Sequence, residues 1–365
     1  MGLREIWMNL GERSYPIYVG SGAISQTGRL IRKRLASSAC AVVSHDDIIQ
    51  LHGKTLEESL TRAGIKTHFI EVLPGEESKS WETAGWLHGR LIDLKMDRTS
   101  SVVAFGGGVV GDLSGFVAST YLRGINLVQV PTTLLSQVDS GIGGKTAVNH
   151  AKGKNLIGSF YQPRIAIMDP LITKTLPERE RRSGLAEVVK HGVIADRELF
   201  KLLEEAGESA LEDAEVLEEV ISRNCAIKTR FVEQDERDVK GLRASLNLGH
   251  TLGHALEIQE HLSLRHGEAV SVGMVFAADL AVKRGLMRRE DANRLEQLLQ
   301  ELRLPTKVSL QASQPILDTM RRDKKVKAGK IYFVLPKGIG DNPVLEPVSE
   351  EEIMGAMERL VVEKG

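Results

Sequence analysis

The sequence predicts a protein in two parts: an α/β amino-terminal domain with a mostly parallel, Rossmann-like sheet, and a mostly α-helical carboxy-terminal domain. Up to about residue 170, short apolar stretches alternate with helical ones, a pattern typical of a parallel sheet covered by helices. Beyond that point the apolar residues recur almost entirely at helical spacing. We therefore predict domains at residues 1–170 and 171–365.

The individual elements follow from the same patterns. Apolar and polar residues alternate over residues 6–10 and 15–19, on either side of a Gly-Glu turn, which predicts a hairpin. Apolar runs predict further strands at 39–43, 67–72, 101–105, 127–130 and 165–168. Helices are predicted over 177–192, 196–206, 213–233, 246–260, 267–284 and 289–302, and a last strand over 331–335.

The composition is that of an ordinary globular protein. Its 365 residues suit two domains that each have a core, and the net charge of −1 gives no reason to expect a nucleic-acid partner. Cys40 and Cys225 lie far apart, so we predict two buried packing residues in a reducing cytoplasm. No apolar run reaches the roughly 18 residues of a membrane span, so we expect no membrane partner.

A glycine-rich segment follows the predicted strand at 101–105. Gly106 to Gly111 fit the G-x-G-x-x-G spacing and precede a helical stretch, where such a turn can bind a nucleotide phosphate at the helix amino terminus. A tight turn without a ligand is the alternative. The acidic ribose ligand of the usual dinucleotide fingerprint is missing, because no Asp or Glu occurs between Asp112 and Asp139.

A second glycine-rich segment spans residues 139–158. It differs from the phosphate-binding loop of ATPases because Asp139 replaces the first glycine, which disfavours ATPase activity. Lys145, Lys154 and Asn155 lie among its glycines, a composition typical of an anion-binding loop. A solvated turn with surface lysines is the alternative.

Three histidines and a glutamate predict a metal site. His250 and His254 are spaced i and i+4, on one helix face, and His266 follows; Glu187 lies earlier, three residues before Lys190. Histidine nitrogens with one carboxylate and an open position suit catalytic zinc. A zinc protease is disfavoured because the residue after His250 is not glutamate. Spacing alone leaves open which histidines bind the metal, and one of the helical pair could act as a proton shuttle.

Together these motifs resemble the 3-dehydroquinate synthase family, whose members catalyse the second step of the shikimate pathway. The resemblance is specific because several independent motifs agree in order and spacing. They lie at residues 106–112, 123–124, 129–135, 138–146, 153–155, 185–190, 247–254 and 266–268.

The resemblance implies a cytoplasmic homodimeric lyase that converts 3-deoxy-D-arabino-heptulosonate 7-phosphate to 3-dehydroquinate and phosphate. The implied steps are transient oxidation by NAD, phosphate elimination, re-reduction and an intramolecular aldol reaction, with one zinc or cobalt ion. Two alternatives stay open: another sugar phosphate cyclase, which makes an inosose or a valiolone, and a metal-dependent polyol dehydrogenase of related fold. The many predicted anion-binding residues favour the small phosphorylated sugar acid as substrate.

The resemblance also implies roles for single residues. Residues 1–170 would bind NAD and residues 171–365 the metal and substrate, with Glu187, His250 and His266 as metal ligands. The implied catalytic and substrate residues are Asp139, Lys145, Lys154, Asn155, Lys190, Lys228, Arg243, Asn247, His254 and, reaching into the partner's phosphate site, Arg123. The implied NAD contacts are Glu76, Lys79, Gly107, Gly108, Val109, Asp112, Thr132, Thr133, Lys145, Lys154, Thr175 and Leu176.

The chain departs from the family pattern at three places, one of which is Gly141, where serine is common. His45 stands where Asp or Asn is usual, which affects the implied contact to the adenosine ribose. Asp238 replaces a usual glutamate and is followed by one extra residue before Gly241, so we predict a slightly longer loop. A further lysine contact is implied within Asp323-Lys324-Lys325, without a choice between the two lysines.

Overall fold

The computed structural model describes residues 2–309, 313–322, 326–327, 330–358 and 360. The chain forms two compact units. The first comprises Met1–Pro177 and Leu217–Arg237, and the second comprises Glu178–Val216 and Asp238–Gly365. The domain boundary near residue 170 stays a prediction, and the grouping of 217–237 with the first unit is a feature that the sequence pattern did not indicate.

The first unit is built on a seven-stranded sheet. Its strand order is β1-β2-β9-β6-β5-β3-β4, in which only the β1–β2 pair is antiparallel, so the predicted mostly parallel sheet is confirmed. Two further strands, β7 and β8, form a separate antiparallel hairpin. The strands are β1 (Arg4–Met8), β2 (Tyr15–Val19), β3 (Ala39–Ser44), β4 (Lys66–Glu71), β5 (Ser101–Gly106), β6 (Asn126–Pro131), β7 (Lys145–His150), β8 (Gly153–Phe160) and β9 (Ile165–Met168).

Both faces of this sheet are buried, which explains why its strands read as continuous apolar runs. Val43 and Ala104 belong to one hydrophobic cluster, whereas their neighbours Val42 and Phe105 belong to another, because successive side chains of a strand point to opposite faces. The helices of this part of the chain are α1 (Thr27–Arg34), α2 (Asp46–Ile48), α3 (Lys54–Arg62), α4 (Trp81–Asp93) and α5 (Gly108–Thr120).

The later part of the chain is mostly helical, as predicted. Helix α8 (Ala214–Gln234) contributes its residues from Leu217 onward to the first unit. The strand predicted at 331–335 is the middle strand of a small three-stranded antiparallel sheet. The elements are α6 (Glu178–Ala195), α7 (Arg197–Ala206), α8 (Ala214–Gln234), α9 (His250–Glu257), α10 (His266–Lys283), α11 (Arg289–Glu301), α12 (Gln314–Arg322), β10 (Val326–Lys327), β11 (Lys330–Leu335), β12 (Val344–Val348) and α13 (Glu350–Met357).

One predicted helix, over residues 246–260, is wrong in its bounds. Leu242–Asn247 form a 3-10 helix instead, and the α-helix begins only at His250. The break occurs at Gly249, whose φ of +80° lies in the left-handed region that favours glycine. The break does not separate His250 from His254, so the two histidines still lie one turn apart on α9.

Within the described ranges, no helix combines the length and the apolar character needed to cross a membrane.

Candidate functional site

Three helices of the second unit bring the predicted metal ligands together. Glu187 lies within α6, whereas His250 and His266 are the first residues of α9 and α10. The Nε2 atoms of His250 and His266 lie 3.5 Å and 3.7 Å from Oε1 of Glu187. One potential ligand atom from each of the three residues lies within 4.8 Å of the other two. Two ligand atoms bound to one tetrahedral zinc at about 2.0–2.1 Å lie roughly 3.3 Å apart, so the spacing fits a shared divalent ion.

Close helix packing makes this convergence possible. A Cβ added at Gly267 would lie 1.8 Å from the backbone oxygen of Ser183 on α6. A Cβ added at Gly273 would lie 1.9 Å from the backbone oxygen of Gly249. Only glycine therefore allows α10 to approach both α6 and the start of α9 so closely, and this approach places His266 beside Glu187 and His250.

The Glu187 side chain is an unusual anion because it is fully buried. Its Oε2 accepts a hydrogen bond from the Nζ of Lys190, whereas its Oε1 has no hydrogen-bond partner within the described residues. Burial raises the pKa of Glu187, but the Lys190 ammonium and the two histidines outweigh it and hold that pKa well below its ordinary value. A buried carboxylate oxygen without a partner is costly, and a bound cation would satisfy it.

The Nδ1 atom of each predicted histidine ligand faces an oxygen. The Nδ1 of His250 lies 3.1 Å from the backbone oxygen of Leu248, and the Nδ1 of His266 lies 3.1 Å from Oε2 of Glu257. A ring that donates its Nδ1–H to such an oxygen presents the Nε2 lone pair on its opposite edge, towards Glu187. The donor set therefore fits a divalent ion in both spacing and orientation.

The two histidines differ in charge when no ion is present. Burial lowers the pKa of His250 well below its ordinary value, which favours the neutral, ligating form. Burial also lowers the pKa of His266, but the nearby carboxylates of Glu187 and Glu257 outweigh it and raise the pKa to about 10. Binding of a metal to His266 must therefore release a proton.

Four other predicted residues lie in the same unit. Lys190 is 1% exposed beside Glu187, and the exposed His254 has its ring centroid 5.3 Å from that of His250. Arg243, which is 4% exposed, and Asn247 lie in the 3-10 helix that precedes α9. Their contacts with substrate stay predictions.

In the first unit, the predicted NAD contact Lys79 lies at the centre of a polar network. Its Nζ donates to Oδ2 of Asp112 and to Oδ1 of Asn155, each at 2.5 Å. Asn149 extends the network, because its side chain donates to Oε1 of Glu76 at 2.7 Å and accepts from the backbone N–H of Asn155 at 3.0 Å. Burial raises the pKa of Asp112, and the charge of Lys79 opposes that rise. The network thus joins three predicted NAD contacts to one predicted substrate residue.

A second charged pair joins α8 to the glycine-rich segment at 139–158. Lys228 is 5% exposed, and its Nζ donates to Oδ1 of Asp139 at 2.6 Å and also to the backbone oxygen of Asp139. Both residues were singled out by the resemblance, and here they contact each other directly within the first unit. Lys228 lies in the helical part of the sequence, but this pair connects it to a predicted substrate residue of the first unit.

The glycine turn after β5 leads into α5, as predicted. A Cβ at Gly107 would lie 3.2 Å from Cγ2 of Thr133, and a Cβ at Gly108 would lie 3.0 Å from Oγ of Ser140. The hydroxyl oxygens of Thr132 and Ser140 are buried and have no hydrogen-bond partner among the described residues. Val109 and Asp112 lie in the first turns of α5. Unsatisfied hydroxyl groups beside a helix amino terminus are suited to a phosphorylated ligand such as a dinucleotide.

The predicted anion-binding loop is largely a β-hairpin rather than an irregular loop. Lys145 begins β7 opposite Phe160, whereas Lys154 and Asn155 lie near the turn, where His150 faces Gly153. The two lysines are thus about four residues, or roughly 13 Å, apart along the strands. Asn155 has a φ of +57°, which is uncommon for a residue with a side chain. Both lysines are exposed, so each is accessible to a ligand.

Three predicted residues lie outside these clusters. Thr175 ends a 3-10 helix, and its Oγ1 lies 2.8 Å from the Nε2 of His52; Leu176 follows it. Arg123 is exposed and has a φ of +66°. The lysine contact implied within Asp323-Lys324-Lys325 lies outside the described residues.

Sequence reasoning missed four side chains beside the predicted ones: Glu257, Asn149, His52 and Ser140. Glu257 carried a usable signal, because it follows His254 by three residues and shares its helix face. No local spacing indicated Asn149, His52 or Ser140, because each lies close to a residue that is far away in the sequence.

Comparison with protein families identifies relatives along most of the chain. Residues 69–183 match the model described as the amino-terminal part of 3-dehydroquinate synthase, and residues 184–326 match the carboxy-terminal part. A 3-dehydroquinate synthase from Symbiobacterium thermophilum is 48% identical over 357 residues, which cover 97% of this chain and 99% of that protein. One from Dehalococcoides mccartyi is 44% identical over 360 residues, covering 98% of this chain and all of that protein.

Solved structures with the same fold include two other cyclases. A 2-epi-5-epi-valiolone synthase from Streptomyces hygroscopicus, with NAD+ and Zn2+ bound, is 29% identical with a TM-score of 0.87, covering 96% of this chain and 98% of its own. A 2-deoxy-scyllo-inosose synthase complexed with carbaglucose-6-phosphate, NAD+ and Co2+ is 26% identical with a TM-score of 0.89, covering 98% and 100%. An iron-containing alcohol dehydrogenase, at 16% identity and a TM-score of 0.68, shares the fold alone.

Proposed function

The chain belongs to the 3-dehydroquinate synthase family, and from that premise we propose that it converts 3-deoxy-D-arabino-heptulosonate 7-phosphate to 3-dehydroquinate and phosphate. This reaction is the second step of the shikimate pathway. The enzyme is a phosphorus–oxygen lyase that uses NAD and one divalent ion, zinc or cobalt. The two cyclases with the same fold were solved with NAD+ and with one of these metals, which supports both cofactors.

One observation carries the proposal: Oε1 of the buried Glu187 faces the Nε2 atoms of His250 and His266 and has no hydrogen-bond partner in the described structure. Three protein ligands with an open position are typical of a catalytic rather than a structural zinc site. When bound, NAD supplies reversible oxidation of a substrate hydroxyl, and the divalent ion supplies a Lewis acid beside it. We assign the ion to these three residues.

The substrate's own chemistry explains why oxidation is needed. Phosphate can leave only if a neighbouring carbon loses a proton, and that proton is acidic only beside a carbonyl group. The chain must therefore hold the hydroxyl group that NAD oxidises. It must also bind the two anionic groups of the substrate, its phosphate and its carboxylate. We assign the hydroxyl to Asp139, whose carboxylate is oriented by Lys228 at 2.6 Å.

The anionic groups need fixed cations. We assign the phosphate and carboxylate of the substrate to the cationic candidates. Asn155 and Asn247 would bind hydroxyl groups of the substrate, and His254 would bind a hydroxyl group or transfer a proton. Charge-assisted hydrogen bonds from such groups are about twice as strong as neutral ones, and they bind more strongly where water is excluded. The cationic candidates are Lys145, Lys154, Lys190 and Arg243.

NAD is assigned to the glycine turn at Gly107 and Gly108 and to the network around Lys79. The two unsatisfied hydroxyl groups at Thr132 and Ser140 support this assignment. The remaining proposed contacts are Glu76, Val109, Asp112, Thr133, Lys145, Lys154, Thr175 and Leu176.

We further propose a cytoplasmic homodimer in which Arg123 reaches the partner's phosphate site. Arg123 is exposed, and both it and Leu122 hold left-handed backbone conformations, with φ of +66° and +50°. Such strain persists only where the surrounding structure or function requires it. The cytoplasmic location is supported by Cys40 and Cys225, which are free and buried; burial raises the pKa of each thiol to about 12.

Phosphate release tests the proposed activity against a polyol dehydrogenase. The lyase oxidises and re-reduces the same carbon, so it makes no net NADH. We expect one phosphate per heptulosonate phosphate consumed, with NAD far below the substrate concentration and a flat absorbance near 340 nm. Steady NADH formation from glycerol, without phosphate release from the heptulosonate phosphate, would contradict the proposal.

A further inference from the structure

Glu257 lies directly behind one of the proposed metal ligands. It is the last residue of α9, and its Oε2 is 3.1 Å from the Nδ1 of His266. The other ring nitrogen of His266 is 3.7 Å from Oε1 of Glu187. Because Nδ1 and Nε2 lie on opposite edges of an imidazole, this carboxylate holds the ring from the side away from the ion and does not compete for it.

The two histidines are held in different ways. His250 is oriented by the backbone oxygen of Leu248, only two residues away, which no side-chain substitution can remove. His266 is oriented by a side chain nine residues away in the sequence. Helix α9 therefore provides one proposed ligand at its first residue and the support for another at its last.

We propose that Glu257 is a positioning residue that fixes the ring orientation and the Nδ1 proton of His266 and thereby sets the enzyme's affinity for its divalent ion. The inference rests on the proposed metal site. A carboxylate that accepts the Nδ1–H bond makes the opposite nitrogen a better electron donor, and losing such a partner typically weakens metal binding about 10–100-fold.

The decisive measurement is the dissociation constant for Zn2+ and Co2+, by competition with a chromogenic chelator. We expect Glu257→Ala to bind each ion about 10–100-fold more weakly than wild type. Glu257→Gln should lose less, several-fold, because its amide oxygen still accepts the hydrogen bond but carries no charge. Glu290→Gln, at an exposed glutamate in the first turn of α11, is the matched control and should bind as wild type does.

Two further readouts separate positioning from general damage. The visible absorption of the Co2+-loaded protein should change in Glu257→Ala and Glu257→Gln but not in the control, because it reports the ligand geometry. The thermal midpoint of the metal-free proteins should stay close to that of wild type. If Glu257→Ala does not fold, the Glu257→Gln affinity and spectrum decide.

The outcomes distinguish this inference from the proposed site itself. Wild-type affinity and an unchanged Co2+ spectrum in both Glu257 variants, with metal binding lost in His266→Ala, would overturn the role of Glu257 alone. Wild-type affinity in His266→Ala and His250→Ala as well would overturn the metal site on which the inference rests.

Discussion

The proposed metal cluster of the second unit and the polar network of the first unit differ in how their buried charges are paired. In the cluster, Oε1 of Glu187 faces two imidazole nitrogens and has no hydrogen-bond partner among the described residues. In the network, Lys79 is already paired with Asp112 and Asn155. The groups proposed to bind a resident ion are thus already arranged around a common position, whereas the groups proposed to bind NAD and substrate form hydrogen bonds with one another.

The difference has a physical reason. A buried charge without a partner lowers the free energy of unfolding by several kcal/mol. Charged side chains of a ligand site therefore need another hydrogen-bond or ion-pair partner while the ligand is absent. Among the described residues, Glu187 has a hydrogen-bond donor on Oε2, from Lys190, and none on Oε1. Substitutions that break the ion pairs of each region in turn should show which region depends on its ligand for stability.

The largest effect should come from Lys190→Met. The substitution leaves the fully buried Glu187 without the lysine that pairs with it, and breaking a buried pair in this way costs about 3–5 kcal/mol. We expect that loss in urea unfolding of the metal-free protein and a clearly smaller one with metal bound, because the ion balances the same charge. Lys201→Met, at an exposed pair with Glu205, is the control.

A double variant sharpens this prediction. Glu187→Gln removes the charge that Lys190 balances, so Lys190→Met combined with Glu187→Gln should recover part of the lost free energy of unfolding. If Lys190→Met lowers the free energy of unfolding equally with and without metal, Lys190 is a packing residue. The proposed difference between the metal cluster and the polar network would then be wrong.

Arg123→Ala should have the next effect, of about ten- to a hundredfold on kcat/KM. A charge-assisted phosphate contact contributes roughly 1.5–3 kcal/mol, and the exposed position predicts little change in stability. Mixing Arg123→Ala with Lys145→Ala should restore activity in hybrid dimers, since one site then holds both intact residues. Mixed dimers that stay inactive after verified subunit exchange would place Arg123 in the site of its own subunit.

Lys79→Met should have a smaller effect on stability than Lys190→Met, about 1–3 kcal/mol, because it leaves the Asp112 carboxylate without the ammonium paired with it. Asp112→Asn in the same protein should recover part of the loss, and both variants should bind NAD more weakly in a titration of protein fluorescence. If Lys79→Met binds NAD as tightly as wild type, the network is structural and does not belong to the cofactor site.

The sequence predicted the regular parts of the fold because their apolar periods are local. The strands β3, β4, β5, β6 and β9 and the helices between residues 178 and 206 follow from residues that are neighbours in the chain. The sequence did not predict the break at Gly249, because it depends on a single backbone angle. It also did not predict the strands on either side of 331–335, because they depend on pairing across the fold.

The candidate site divides in the same way. Residue types and spacing predicted a metal site among Glu187, His250, His254 and His266. The choice of His266 over His254 as ligand, and the individual substrate and NAD contacts, came from the family resemblance. Contacts such as Lys79 with Asn155 and Lys228 with Asp139 join residues 76 and 89 positions apart. No periodicity reports pairs so distant in sequence, so these contacts required the structure.

Metal reconstitution tests the central claim most directly. The enzyme is stripped with a chelator and titrated with Zn2+ or Co2+ while phosphate release from the heptulosonate phosphate is followed with catalytic NAD. We predict that activity returns linearly and reaches a plateau at one ion per chain. His250→Ala should show no comparable return, since a Lewis acid contributes several kcal/mol, about a thousandfold in rate. His261→Ala, at an exposed histidine five residues before His266, should behave as wild type. Full activity of the stripped enzyme, or full recovery by His250→Ala, would contradict the account.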